Sequence, residues 1–141
     1  MKKVLARYKE KHYINENKIK NKEYSSIGTF VEEDNIKTLE FKEDISEFNC
    51  RLKRIVKFDE ESITVIRESD DGDIYNEMFF DFTSNSVGFY IVKHRPSLGS
   101  NLSGRLLKFE YDNHKIIHNY ELIVEGIYAG IYETTIYFDE I

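Results

Sequence analysis

Three polar residues stand where an alternating strand should carry apolar ones. In the run Cys50-Leu52-Arg54-Val56-Phe58 the odd member is Arg54, and in Ile63-Val65-Arg67 it is Arg67. In Ile116-His118-Tyr120-Leu122-Val124 the odd member is His118. A guanidinium is permanently charged and presents a planar fork of donors, which suits bidentate capture of a carboxylate or phosphate. Arg54, Arg67, His118 and the hydroxyl of Tyr120 therefore form a candidate anion-binding set. Its ligand would lay an apolar body among Phe58, Phe80, Phe89 and Phe109. The competing reading is structural. A buried charge must be paired, so the arginines would meet strand carboxylates such as Glu77, and His118 would be a hydrogen-bonded core histidine.

Other motifs carry less. Gly99-Ser100-Asn101-Leu102-Ser103-Gly104 has the glycine spacing of a phosphate loop, but Arg105-Leu106 replaces the Lys-Ser/Thr pair and a strand follows instead of a helix. Lys93, Arg95 and Arg105 around that segment make a second, weaker anion candidate, and the segment itself could serve as a lid. Asp70-Asp71-Gly72-Asp73 fails as a calcium loop, because aligning its glycine puts Arg67 and Met78 at ligand positions. His94, His114 and His118 lack metal-ligand spacing, and Cys50, the single cysteine, has no neighbouring base. The expectation is no catalytic residue, no metal and no cofactor. An enzyme using His94 or His118 as general acid/base has only the pKa class of histidine to recommend it.

The elements that must position these residues are strands. Period-two alternation recurs along the chain, and no window holds a clean helical stripe. Strands are expected at Lys3–Tyr13, Tyr24–Val31, Ile36–Phe41, Asn49–Phe58, Ser62–Ser69, Ile74–Phe82, Val87–His94, Arg105–Tyr111, Lys115–Glu125 and Ile131–Phe138. Glu43–Phe48 reads as an acidic connection with at most a helical turn, and Pro96–Ser103 as the longest loop. Asp71-Gly72 between two β-rich runs is a strong hairpin signal. About eight to ten strands joined by short turns describe an antiparallel meander, and closing it into a barrel removes the exposed edges. A two-sheet sandwich is the alternative.

The order of features from Ser26 onward resembles the YwiB-like family of uncharacterised bacterial proteins. The resemblance runs through Gly28-Thr29-Phe30-Val31, Leu52-Lys53-Arg54-Ile55-Val56-Lys57-Phe58, Ile63-Thr64-Val65-Ile66-Arg67, Met78-Phe79-Phe80 and Gly104-Arg105-Leu106. It implies a calycin-type barrel akin to lipocalins and fatty-acid-binding proteins. It implies no reaction.

Length and composition bound the rest. The chain has 141 residues, one domain's worth, with 10 Phe, 10 Tyr and no Trp. No run approaches the length of a membrane helix. Met1-Lys2-Lys3 precedes too short an apolar stretch for a secretory signal, so the expected location is the cytoplasm. Net charge is −6, yet residues 1–22 hold eight basic residues against two acidic ones. A basic arm on an acidic body would repel phosphate elsewhere, so nucleic acid is an unlikely partner. The favoured function is a non-catalytic barrel for a small apolar or anionic molecule. The alternative is a filled barrel that forms a homodimer or contacts protein or RNA through the basic arm and the outward tyrosines Tyr128, Tyr132 or Tyr137.

Overall fold

The computed structural model describes residues 1–45, 50–83, 86–92 and 100–141, without side chains at positions 44, 45, 50, 86–92 and 100. Those residues hold ten strands: β1 (Lys2–Ile14), β2 (Asn17–Glu33), β3 (Ile36–Ile45), β4 (Cys50–Phe58), β5 (Ser62–Ser69), β6 (Ile74–Asp81), β7 (Ser86–Val92), β8 (Ser100–Asp112), β9 (Lys115–Val124) and β10 (Ile127–Glu140). Each pairs antiparallel with its sequence neighbour, and β1 pairs with β10 to close the barrel. The sandwich alternative is thereby excluded. No helix occurs among the described residues, so none is long and apolar enough to cross a membrane.

Turn chemistry fixes this order. Asn15-Glu16, Asp34-Asn35 and Glu125-Gly126 all have positive φ at both central positions, the primed geometry that matches the twist of tight hairpins. At the Asp71-Gly72 signal, Gly72 has φ 74° and its N–H donates to the Ser69 carbonyl at 2.9 Å. Between β4 and β5 the Asp59 carboxylate accepts from the backbone N–H of Glu61 and Ser62.

Several boundaries differ from the sequence reading, and β10, which begins at Ile127 and not at Ile131, is one of them. β2 begins at Asn17, seven residues ahead of the β-rich stretch, because Asn17–Glu23 is polar yet held by the ladder to β1. Glu43 lies within β3, not in a connection, since Leu39, Phe41 and Glu43 continue one inward row. Ser100–Ser103 belongs to β8 and pairs with β7 instead of lying in a loop, and the rest of the expected loop, 96–99, lies outside the described residues.

The barrel interior divides in two. One half is filled by rings and branched side chains. Phe58 packs on Phe109 and Tyr111, Phe30 on Phe138, and Phe82 on Phe109, with ring centroids 5.0–5.4 Å apart. Leu39, Ile63, Ile116 and Ile136 fill the gaps between them. A bulge between Leu106 and Lys108 in β8 switches the inward row from Leu102 and Leu106 to Phe109 and Tyr111, which delivers those last two rings to the packed half. The other half, toward the β1–β2, β5–β6 and β9–β10 turns, holds the polar residues.

Candidate functional site

Arg54 and Arg67 are direct cross-strand neighbours in the β4–β5 ladder. Like charges so placed repel, and the low dielectric of an interior strengthens the repulsion. Glu43 on β3 resolves it. Its side chain is 1% exposed, and Oε2 accepts from Arg54 Nη2 at 3.3 Å and from Arg67 Nη2 at 3.4 Å. Lys22 on β2 pairs with the other carboxylate oxygen, Oε1. The Arg54 guanidinium also lies 4.4 Å from the centroid of the buried Tyr8 ring. Glu10, next along the inner face of β1, accepts from the Tyr8 hydroxyl at 2.8 Å.

Counted as charges, three cations meet one fully buried carboxylate, with Glu10 half-buried at the rim. The consequence appears at Lys22, whose pKa is pulled down to about 8 by burial and by the positive charges of Arg67 and Arg54. Arg54 Nε and Arg67 Nε are buried donors without a hydrogen-bond partner among the described residues. Buried donors of this kind are rarely left unmet.

A solvent-open cavity of about 180 Å³ adjoins this cluster. Its polar lining is Lys22, Arg54, Arg67 and Asn76 together with the carboxylate-bearing Glu10, and Leu102, Leu122, Tyr120 and Tyr132 complete the wall. Met78 lies at its base. Below the base, among Val56, Val65, Ile116, His118 and Ile136, a void of about 10 Å³ remains, room for one water at most.

The sequence candidates thus fall in two groups. Arg54, Arg67 and Tyr120 meet at the cavity. His118 lies beneath it, its ring 4.8 Å from Phe80 and 4.7 Å from Tyr120, with Nε2 buried and unpartnered among the described residues. Burial, helped by the nearby Arg54 charge, lowers its pKa to about 3, so the imidazole is neutral near pH 7. That makes His118 a core ring and a poor general acid. Phe58, Phe80 and Phe109 belong to the packed half and do not border the cavity. Lys93, Arg95 and His94 lie outside the described residues, as do the side chains of Phe89 and Cys50. Arg105 sits on the outer wall, 62% exposed and 3.6 Å from Glu121, away from the cluster.

Sequence reasoning passed over four participants. The partner of the arginines is Glu43; Glu77 alternates to the outer face of β6. Lys22 and Glu10 belong to the basic amino-terminal arm, residues 1–22, which the sequence reading sets apart from the arginine set. Tyr132, expected outside, points inward and stacks on His12 at 4.1 Å and on Tyr120 at 5.3 Å. The rows Leu39-Phe41-Glu43 and Lys22-Tyr24-Ser26-Gly28-Phe30 carried the signal for Glu43 and Lys22, because alternation continued past the apolar stretch puts both inside.

No protein-family profile and no curated protein matches the chain. Among solved structures, the crystal structure of the ywiB protein from Bacillus subtilis superposes with a TM-score of 0.76 over 99% of this chain and 92% of that one, at 15% identity. The two share a fold. At that identity the YwiB likeness extends to barrel architecture, and it agrees with the resemblance carried by the ordered motifs from Gly28 to Leu106.

Proposed function

We propose that this chain is a cytoplasmic, non-catalytic barrel of the calycin type that binds a small anionic molecule at its polar end. The observation that carries the reading is the excess of positive charge beside an open cavity. Lys22, Arg54 and Arg67 share one buried carboxylate, and two guanidinium Nε–H groups there have no acceptor among the described residues. An anion entering the cavity would supply the missing negative charge and accept from the Lys22, Arg54 and Arg67 groups that line it. The apolar wall of Leu102 and Leu122 gives its body a place out of water.

Native mass spectrometry of freshly purified protein, followed by thermal unfolding with carboxylates, phosphate and nucleotides, tests this. A bound anion at about 100 times its Kd adds close to 2.7 kcal/mol to stability. Arg67→Met, at a half-buried position, should abolish that gain and leave the barrel folded. A ligand-free mass together with no stabilisation by any anion overturns the reading.

A further inference from the structure

We infer that the cavity takes a short monocarboxylate, and that Met78 at its base limits the length of the apolar tail. The inference rests on the anion-binding reading and narrows it to one chemical class.

Charge selects the head group. Lys22, Arg54 and Arg67 face Glu43 and Glu10, which leaves a surplus of one positive charge around the cavity. A singly charged head balances that surplus, whereas a dianion such as phosphate would leave a net negative charge in a partly buried site. A carboxylate head accepts through two oxygens, which suits the Arg54 and Arg67 guanidiniums and the Lys22 ammonium that line the cavity.

Volume selects the tail. A cavity of about 180 Å³ holds the equivalent of about six water molecules at roughly 30 Å³ each, the bulk of a chain of about six heavy atoms. Its base is closed. Arg54, Met78 and Tyr120 border both this cavity and the 10 Å³ void beneath it, so they form the partition between open space and packed core. Past that partition Ile116, Ile136 and Phe80 leave no path for a longer chain. Of the three, Met78 is the unbranched apolar residue whose shortening would join the two spaces without removing a charge or a ring.

Isothermal titration of the full chain with acetate, butanoate, hexanoate, octanoate, dodecanoate and phosphate tests both parts. Each added methylene should tighten binding about fourfold until the tail reaches the base, with the gain ending near hexanoate. Arg67→Met should weaken hexanoate at least tenfold, as expected for the loss of a charge-assisted hydrogen bond. Met78→Ala should move the break to octanoate or beyond, and Met78→Val, a smaller excision, should move it the same way if the alanine variant does not fold. Phosphate or a nucleotide binding where no monocarboxylate does would overturn this inference and leave the anion-binding reading standing. Dodecanoate continuing the fourfold gain, or a break unmoved by either Met78 variant, would overturn the role of Met78. Failure of every anion would remove both readings.

Discussion

Glu43 is the residue on which the polar half of the barrel depends. It is 1% exposed and holds three cations from three different strands, Lys22, Arg54 and Arg67. Replacing it with an isosteric amide removes the one fully buried carboxylate among the described residues and leaves two neighbouring guanidiniums facing each other. Glu43→Gln should cost about 3–5 kcal/mol in urea denaturation, the range for breaking one side of a buried ion pair. His118 makes the second prediction at this scale. Its folded pKa of about 3 lies below the unfolded value of 6.5, so below that value the unfolded chain takes up a proton that the folded one refuses. Stability from this site is complete above pH 6.5 and is lost as pH falls toward 3, with a slope approaching about 1.4 kcal/mol per pH unit. Measured between about pH 6.5 and 4.5 by urea titration, His118→Phe should show a shallower acid loss than the parent by roughly that slope. Equal slopes in the two proteins would remove the assignment. The residue types here were legible in the sequence, because Arg54, Arg67 and His118 interrupt apolar rows. Their partner was not, because a carboxylate at the end of a strand reads like the start of a loop.

Elements place these residues through two irregularities. β10 carries a bulge at Ala129, so that Tyr128 pairs with Ile123 and Gly130 with Leu122. The bulge sets the inward row Gly130, Tyr132, Thr134, Ile136 and Phe138, and so turns Tyr132 into the cavity. The Ala129 carbonyl, freed from the ladder, accepts from His12 Nε2 at 2.6 Å, and His12 in turn stacks on Tyr132. Gly130 is required there. Its φ is 109°, and a Cβ would collide with the Tyr13 carbonyl. Gly130→Ala should therefore cost at least about 2 kcal/mol and weaken any ligand that touches Tyr132. Thermal unfolding with and without ligand reads both effects. β2 shows the second device: its ladder to β3 stops at Gly28–Phe41, where a Cβ on Gly28 would strike the Glu40 carbonyl. Beyond that close crossing, the described parts of the two strands are joined by side chains, the Lys22–Glu43 pair and the Tyr24–Phe41 contact. The strands themselves were legible because alternation is a local signal. The bulges were not, since an extra residue changes parity without changing composition.

At the scale of the molecule, nine of the ten pairings join strands that follow each other in sequence, and one joins β1 to β10. Hairpin pairings close short loops, whereas the β1–β10 ladder, which sets Val4 opposite Glu140, closes almost the whole chain. That ladder should form after the folding transition state. Ile136→Val, on β10 and 2% exposed, should lose about 0.5–1.5 kcal/mol, appearing mainly as faster unfolding. A chevron in which the folding arm slows instead would place closure inside the nucleus. The same closure divides the interior: ring stacking from Phe30 to Phe138 and from Phe58 to Phe109 fills one half, and the charges hold the other open.

The sequence by itself determined an all-β chain of strands, turns and inward polar residues. Alternation, Asp-Gly and Asn-rich turns, and misplaced arginines are all properties of neighbours a few positions apart. Only the tertiary structure decided that the strands close on themselves, that Glu43 neutralises Arg54 and Arg67, and that the Phe-rich half is packed while the arginine half is open. Those outcomes depend on which rows face one another across the barrel. Single-residue bulges in β8 and β10 help to set that register, and pairs as far apart as Val4 with Glu140 complete it.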